Sequence, residues 1–133
     1  MTLFILGIGL YHLMHAARNP TSPFSLEALR ALGHRVEDRG NVAPLSFTDR
    51  AHEKLHAIAE TIAWTGALAD AAEAALAQGM PIFMGGDQAL SLGTVLGAMR
   101  FAASKSRPLF VLWLDAHSDF HTPETTDSGN LHG

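Results

Sequence analysis

Three uninterrupted apolar runs constrain this chain more than any other feature: Leu3 to Gly9, "MPIFM" at 80–84 and "LFVLWL" at 109–114. A strand with no polar alternation is one covered on both faces, the usual state of a strand in a parallel sheet flanked by helices. The stretches between them read as helices. Ser25 to Leu32 has a helical pattern that Gly33 stops, and "HRVEDRGN" reads as a short edge strand and turn. Thr48 is a candidate N-cap for an Ala-, Leu-, Glu- and Lys-rich stretch running to Gln78, as one long helix or two shorter ones. Leu55, Ile58, Ile62 and Leu68 share one face of it, and Gly79 with Pro81 ends it. Leu90 to Ala103 is a further helix and Ser104 to Pro108 a turn. The order β, α, β, α, β, α, β predicts an α/β fold with a parallel central sheet covered by helices on both faces.

Composition sets the outer bounds. A chain of 133 residues, 47% hydrophobic, has the length and apolar content of one domain, 1–133. A net charge of −4 supplies no basic stripe for phosphate backbones, so nucleic acid is excluded as the expected partner. The absence of Cys excludes disulfides and thiolate metal sites, and with no secretory pattern it fits a cytoplasmic protein. The first eighteen residues are apolar, yet they lack a basic leader and a small-residue cleavage site. His12 and His15 interrupt them too early for a membrane span, so they read as a buried strand followed by a loop.

Two polar stretches, "GGDQ" at 85–88 and "DAHSD" at 115–119, each sit at the carboxyl end of an apolar run, where open α/β sheets place their ligand sites. In an extended segment residues i, i+2 and i+4 point the same way, so Asp115, His117 and Asp119 can face one cavity. Two clustered carboxylates repel unless a cation is present, and a divalent ion supplies the charge. Carboxylate and imidazole donors without sulfur suit Mn²⁺, Zn²⁺ or Fe²⁺, with the carboxylate-heavy balance toward Mn²⁺. The plainer alternative is that Asp115 caps a turn, His117 is a satisfied loop histidine and Asp119 is solvated. A competing motif is His52-Glu53-Lys54-Leu55-His56, the H-E-x-x-H arrangement of zinc peptidases, on an expected helix. No third His follows it, Glu73 is the one downstream acid available, and a solvated helix face explains it more simply. His12, His15 and His34 have no partners at ligand spacing.

Taken whole, "LDAHSDFHTPETTDSGNLHG" together with "GGDQALSLGTVLG" closely resembles the ureohydrolases, and the arginases in particular, whose segments read GGDH-S-x-x-x-G-T and DAH-x-D-x-N-T-P-x-T-T-x-S-G-N-L-H-G. The likeness is strong from Gly85 to Gly133, with weaker support at 28–42. Agmatinases share DAH-x-D and generally lack S-G-N-L-H-G, so Ser128, Gly129 and Asn130 favour arginase. The resemblance implies a three-layer α/β sandwich and a pair of Mn²⁺ ions. It implies that Asp115 bridges both metals, that His117 binds one and Asp119 the other, and that Asp119 belongs with His132, a proton shuttle, to the catalytic group. Ser128 and Asn130, with Thr126 and His121 in the same loop, are implied contacts of the substrate. Ser128-Gly129-Asn130 is also ordinary turn chemistry, and Thr126 also suits a cap. The substrate implied is L-arginine, hydrolysed to L-ornithine and urea by a metal-activated water, in a protein that forms a homo-oligomer at full length.

Three departures qualify that expectation. Gln88 stands where the family has a metal-ligand His, a degenerate position where an amide oxygen would be a weak ligand. His121 replaces the usual Asn, and it can still donate a hydrogen bond. The family's chains also continue well beyond a point equivalent to Gly133 and supply further ligands there, and 9–24 lacks their Gly-rich segment. The expectation is a truncated arginase, incomplete at its C-terminus and inactive by itself. The alternatives are an agmatinase or other ureohydrolase, a non-catalytic binding module derived from one, or a zinc peptidase using His52 and His56.

Overall fold

A computed structural model of the chain describes residues 2–8, 26–44, 46–48, 52–85 and 87–131. The elements run β1 (Thr2–Ile8), α1 (Leu26–Ala31), β2 (Arg35–Val42), α2 (Ile58–Leu76), β3 (Met80–Met84), a 3-10 turn (Gln88–Leu90) and α3 (Ser91–Ser104). The strands form one parallel sheet in the order β2-β1-β3, so the first apolar run takes the centre and "HRVEDRGN" lies at an edge, as its mixed polarity predicts. The expected loop after β1, with His12 and His15, falls outside the described residues.

One irregularity in β2 decides how the sheet is covered. Ile5 pairs with Asp38 and Gly7 with Asn41, so β2 spends one more residue than β1 over that step. The surplus is absorbed at Gly40, which has φ 74° and donates its N–H to Asp38 Oδ1 at 2.8 Å. An extra residue reverses the face that later side chains take. Val36 therefore clusters with Leu26 of α1, while Val42, six positions on, packs beside Ala75 of α2. β3 shows the ordinary alternation: Ile82 and Met84 join the Leu26 cluster and Phe83 the Ala75 cluster. α1 and α2 accordingly lie against opposite faces of the sheet.

α2 buries a seam of small residues, Ala63, Ala67, Ala69, Ala72 and Ala75, around Leu68, which is fully inaccessible. α3 lies directly on that seam. A Cβ built on Gly93 would stand 2.6 Å from Leu68 Cβ, and one on Gly97 would stand 2.3 Å from the Ala69 carbonyl oxygen. The helices meet closely because α3 has no side chain at Gly93 and Gly97 to hold α2 away. That geometry corrects the expected apolar face: Ile62 lies outside the seam and is 67% exposed.

Two further expectations fail. Thr48 caps no helix, because α2 starts at Ile58 and 52–57 form turns. His52 Nδ1 accepts the N–H groups of Lys54 and Leu55 at 3.2 and 3.1 Å, a local alternative to helical pairing. The larger correction concerns "LFVLWL": among the described residues 109–114 joins no ladder and is not beside β3 in the sheet. Its exposures still alternate, with Phe110, Leu112 and Leu114 at 88%, 81% and 84% and their neighbours lower. An apolar run signals avoidance of water and does not name the strand that will complete its hydrogen bonds; none of the described strands does so. No helix among the described residues is long and apolar enough to cross a membrane.

Gly97→Ala tests the helix contact. Within an unobstructed helix the change stabilises by about 0.5–1 kcal/mol. Here the added carbon meets backbone, and we expect a net loss of about 1–3 kcal/mol in urea unfolding followed by circular dichroism. Unchanged or increased stability would show that the helices do not touch at Gly97.

Candidate functional site

The two polar stretches do meet. After β3 the chain turns through Asp87, whose Oδ1 accepts the Ala89 N–H at 2.8 Å and starts the 3-10 turn leading into α3. This cap fixes Gln88 as the first residue of the turn, and its Nε2 donates to Asp115 Oδ2. A carboxylate only accepts, so the amide must present its NH₂ group. Gln88 thus acts as a donor to Asp115, where the sequence suggested a weak ligand through its oxygen.

Asp115 Oδ1 is occupied from the other side. It accepts the His117 backbone N–H at 2.8 Å and lies 3.3 Å from His117 Nδ1. The Asp115 side chain is 18% exposed and that of His117 83%. The His117 backbone N–H holds the Asp115 carboxyl below its ordinary 3.8, against a smaller opposing effect of burial and with help from the Gln88 amide and the His117 ring.

Asp119 does not join them as the i, i+2, i+4 spacing suggested. Its φ of 49° is left-handed, so the extended geometry that would align all three side chains is broken at this residue. Asp119 lines, together with Gln88, a cavity of about 660 Å³ beside α3, walled by Leu92, Val95, Val111, Trp113 and Phe120. Its Oδ2 is buried without a hydrogen-bond partner among the described residues. Consistent with this divergence, no three His, Asp or Glu side chains converge as a metal site among the described residues. The donor chemistry of Asp115, His117 and Asp119 is right for a hard divalent ion, but their arrangement does not fit a metal pair.

The expected substrate loop is built from turns. Thr126 N–H donates to the Thr122 carbonyl at 3.0 Å, and its Oγ1 accepts the Gly129 N–H at 3.1 Å. Ser128 Oγ accepts the Asn130 N–H at 3.3 Å and lies 3.5 Å from Thr126 Oγ1. Both hydroxyl oxygens are engaged as acceptors, and the contact between them takes the proton of one, which leaves the other's proton available to an anion. The Asn130 side chain is exposed, and His121 Nδ1 is 3.2 Å from the Thr125 carbonyl. His132 lies outside the described residues.

One support of this loop was not foreseen. His56 N–H donates to the Gly129 carbonyl at 2.9 Å, and a Cβ on Gly129 would stand 2.2 Å from Lys54 O and 3.0 Å from His56 Cδ2. Residues 54–56 are therefore the platform under 126–130, and they are part of the stretch that resembled H-E-x-x-H. His52 and His56 are in turns, not one helical turn apart on a common face, so the zinc-peptidase geometry is absent. The available signal was Gly129 itself, which has φ 74° and is buried in a polar loop.

Residues 12–133 match the family model described as "Arginase family". The chain is 51% identical to the arginase of Brucella abortus biovar 1 (strain 9-941) over 109 residues, covering 80% of this chain and 36% of that protein. It is 42% identical to the arginase of Agrobacterium fabrum (strain C58) over 113 residues, covering 80% of this chain and 34% of that one. The chain thus spans about a third of the length of these relatives. Among solved structures it resembles an arginase from Bacillus subtilis subsp. subtilis str. 168, with a TM-score of 0.78 and 28% identity over 99% of this chain and 45% of that one. A native arginase structure from Bacillus caldovelox gives a TM-score of 0.73 and 29% identity, covering 98% and 46%.

Two measurements check this geometry. Gly129→Ala places a carbon into backbone at a positive φ, so it should abolish the His56 to Gly129 hydrogen bond and move the His56 amide resonance, while Ser128→Ala should not; an unmoved His56 amide in Gly129→Ala would refute the platform. The second concerns pH. A carboxyl held below its ordinary value stabilises the fold above the unfolded pKa, and that contribution is lost as pH falls through the folded pKa. The downfield position of the His117 amide should therefore persist below pH 3.8 and collapse only on further acidification. A collapse above that pH would contradict the assigned cause.

Proposed function

The chain belongs to the arginase family, and on that premise we propose that it forms part of an arginase-like hydrolase acting on the guanidinium group of L-arginine. Water adds to the guanidinium carbon, the bond from that carbon to the side-chain nitrogen breaks, and L-ornithine and urea leave. The observation that carries the substrate assignment is the 126–130 loop. Its Thr126 and Ser128 hydroxyls share one hydrogen bond, which leaves one hydroxyl proton unspent beside exposed Asn130, a neutral donor set suited to an α-carboxylate. His121 extends the same loop. The roles of Asp119 as an acidic group at the reacting end and of His132 as the carrier of a proton to the leaving amine belong to this proposal.

A pair of Mn²⁺ ions is the proposed cofactor, supported by the oxygen and nitrogen donors of Asp115, His117 and Asp119. Those residues do not complete a coordination sphere as they stand, so further donors are required. The same proposal includes a three-layer sandwich built on the sheet and its opposed helices, residues 1–133 as one unit of it, assembly as a homo-oligomer and a cytoplasmic location. A non-catalytic binding module is the second reading, favoured by the engagement of Asp115 with Gln88 in place of a metal.

Urea release decides between them. Residues 1–133 joined to the remaining C-terminal sequence of the Brucella abortus arginase should release urea with Mn²⁺ present and prefer L-arginine to agmatine by at least about tenfold, the low end of what a single differing substrate group supplies. A preference for agmatine would move the assignment to agmatinase. No urea from either substrate, by a fusion that folds, would favour the binding module.

A further inference from the structure

We propose that Gln88 makes the Asp115 turn metal-independent: its amide occupies the carboxylate oxygen that a cation would need and holds the turn in place of one. This inference bears on the cofactor part of the reading above and stands apart from its substrate part.

The carboxylate's partners carry the argument. Asp115 has two oxygens, and both are in use: Oδ2 takes the Gln88 amide N–H, and Oδ1 takes the His117 N–H at 2.8 Å with His117 Nδ1 at 3.3 Å. A bridging carboxylate must turn lone pairs on both oxygens toward ions, and an N–H donor aimed at the same oxygen competes with an ion for them. The backbone of Gln88 opens a turn fixed by the Asp87 cap at 2.8 Å and continues into α3, which places its amide within reach of Asp115. That helix is wedged against α2 at Gly93 and Gly97. The amide is neutral, so it satisfies the carboxylate's hydrogen bonding without neutralising its charge, and an imidazole at the same position would offer a lone pair to a metal. The divergence of Asp119 follows the same logic, since nothing in the turn draws its Oδ2 toward Asp115.

The test exploits a difference of sign. If Gln88 were a metal ligand, removing its amide would weaken metal binding; if it blocks Asp115, removing it strengthens binding. The 133-residue chain is prepared with Gln88, Gln88→Ala and Gln88→His and titrated with Mn²⁺ alone, with binding read from paramagnetic broadening of the backbone amides of 115–119. We expect Gln88→Ala to bind at least threefold more tightly than the native chain. We expect Gln88→His to bind at least about tenfold more tightly, the size of effect typical when a group supporting a metal site is changed. Without metal, Gln88→Ala should move the amide resonances of Asp115 to His117, because the hydrogen bond that orders the turn is gone. Tighter binding by the native chain than by Gln88→Ala overturns the proposal. Equal behaviour of the three chains, including no binding by any of them, overturns it too, as do unmoved 115–117 amides. The fusion assay fails independently: urea release with Gln88 in place and two bound ions would sink this inference and keep the function, and the reverse pattern would do the opposite.

Discussion

The supports of the site lead back to the place where α3, through Gly93 and Gly97, touches α2 with no side chain of its own at the contact. Gly93 and Gly97 let the backbone of α3 settle onto Leu68, Ala69 and Ala72, three of the most deeply buried residues of the described structure. Close packing of this kind resists sliding, because any carbon added at the contact meets backbone or a Cβ, neither of which can rotate away. α2 in turn presses Ala75 and Ala71 against Phe83 and Val42, which seats it on the sheet. The first turn of α3 is thereby placed relative to the end of β3, and Gln88 inherits that position.

How much of this was legible in the sequence depends on which physical signal each element carries. β1, β3, α1 and α3 are written in apolar runs, helical spacing and Gly33, and they lie within a residue or so of their expected bounds. The edge position of "RVEDRGNV" follows from its polarity, but the bulge at Gly40 does not, since only pairing with β1 reveals the surplus residue. Thr48 offered a cap that His52 made unnecessary by bonding the backbone locally. Ile62 followed the expected stripe, while the actual seam was chosen by small size and not by hydrophobicity. The strand expected at 109–114 failed for a related reason, because apolar content reports burial and pairing is a property of two segments.

The candidate site shows the same division. Gln88, Asp115 and His117 do lie together, although 109–114 does not pair beside β3, the arrangement from which the sequence argued their meeting. Their relation was not legible. Whether an amide faces a carboxylate with its oxygen or its nitrogen depends on what else the carboxylate touches, and a sequence does not contain that. The left-handed backbone at Asp119 is likewise a choice made by the turn, as an Asp tolerates that region better than most residues and gives little warning of it. Gly129 gave more warning, because a glycine between two turn-forming side chains invites a close neighbour, and residues 54–56 supply it.

These contacts also determine what holds the site in this chain. Catalytic groups are placed most accurately when they extend from regular, packed elements, and Asp115 extends from 109–114, which has no ladder. Three of the side chains there remain more than 80% exposed, forgoing about 1.5–3 kcal/mol each relative to full burial. The outward side chains Phe110, Leu112 and Leu114 therefore contribute little to the position of the 115–119 turn. Its placement comes from the helix side, through Gln88 at the start of α3, and the loop at 126–130 is placed from residues 54–56 at the entrance to α2. Both supports lead back to the α2 and α3 contact, so a change at Gly97, which touches no site residue, acts on both halves of the site at once. Changes on the exposed face of 109–114 reach neither support, although that stretch precedes Asp115 directly in the chain.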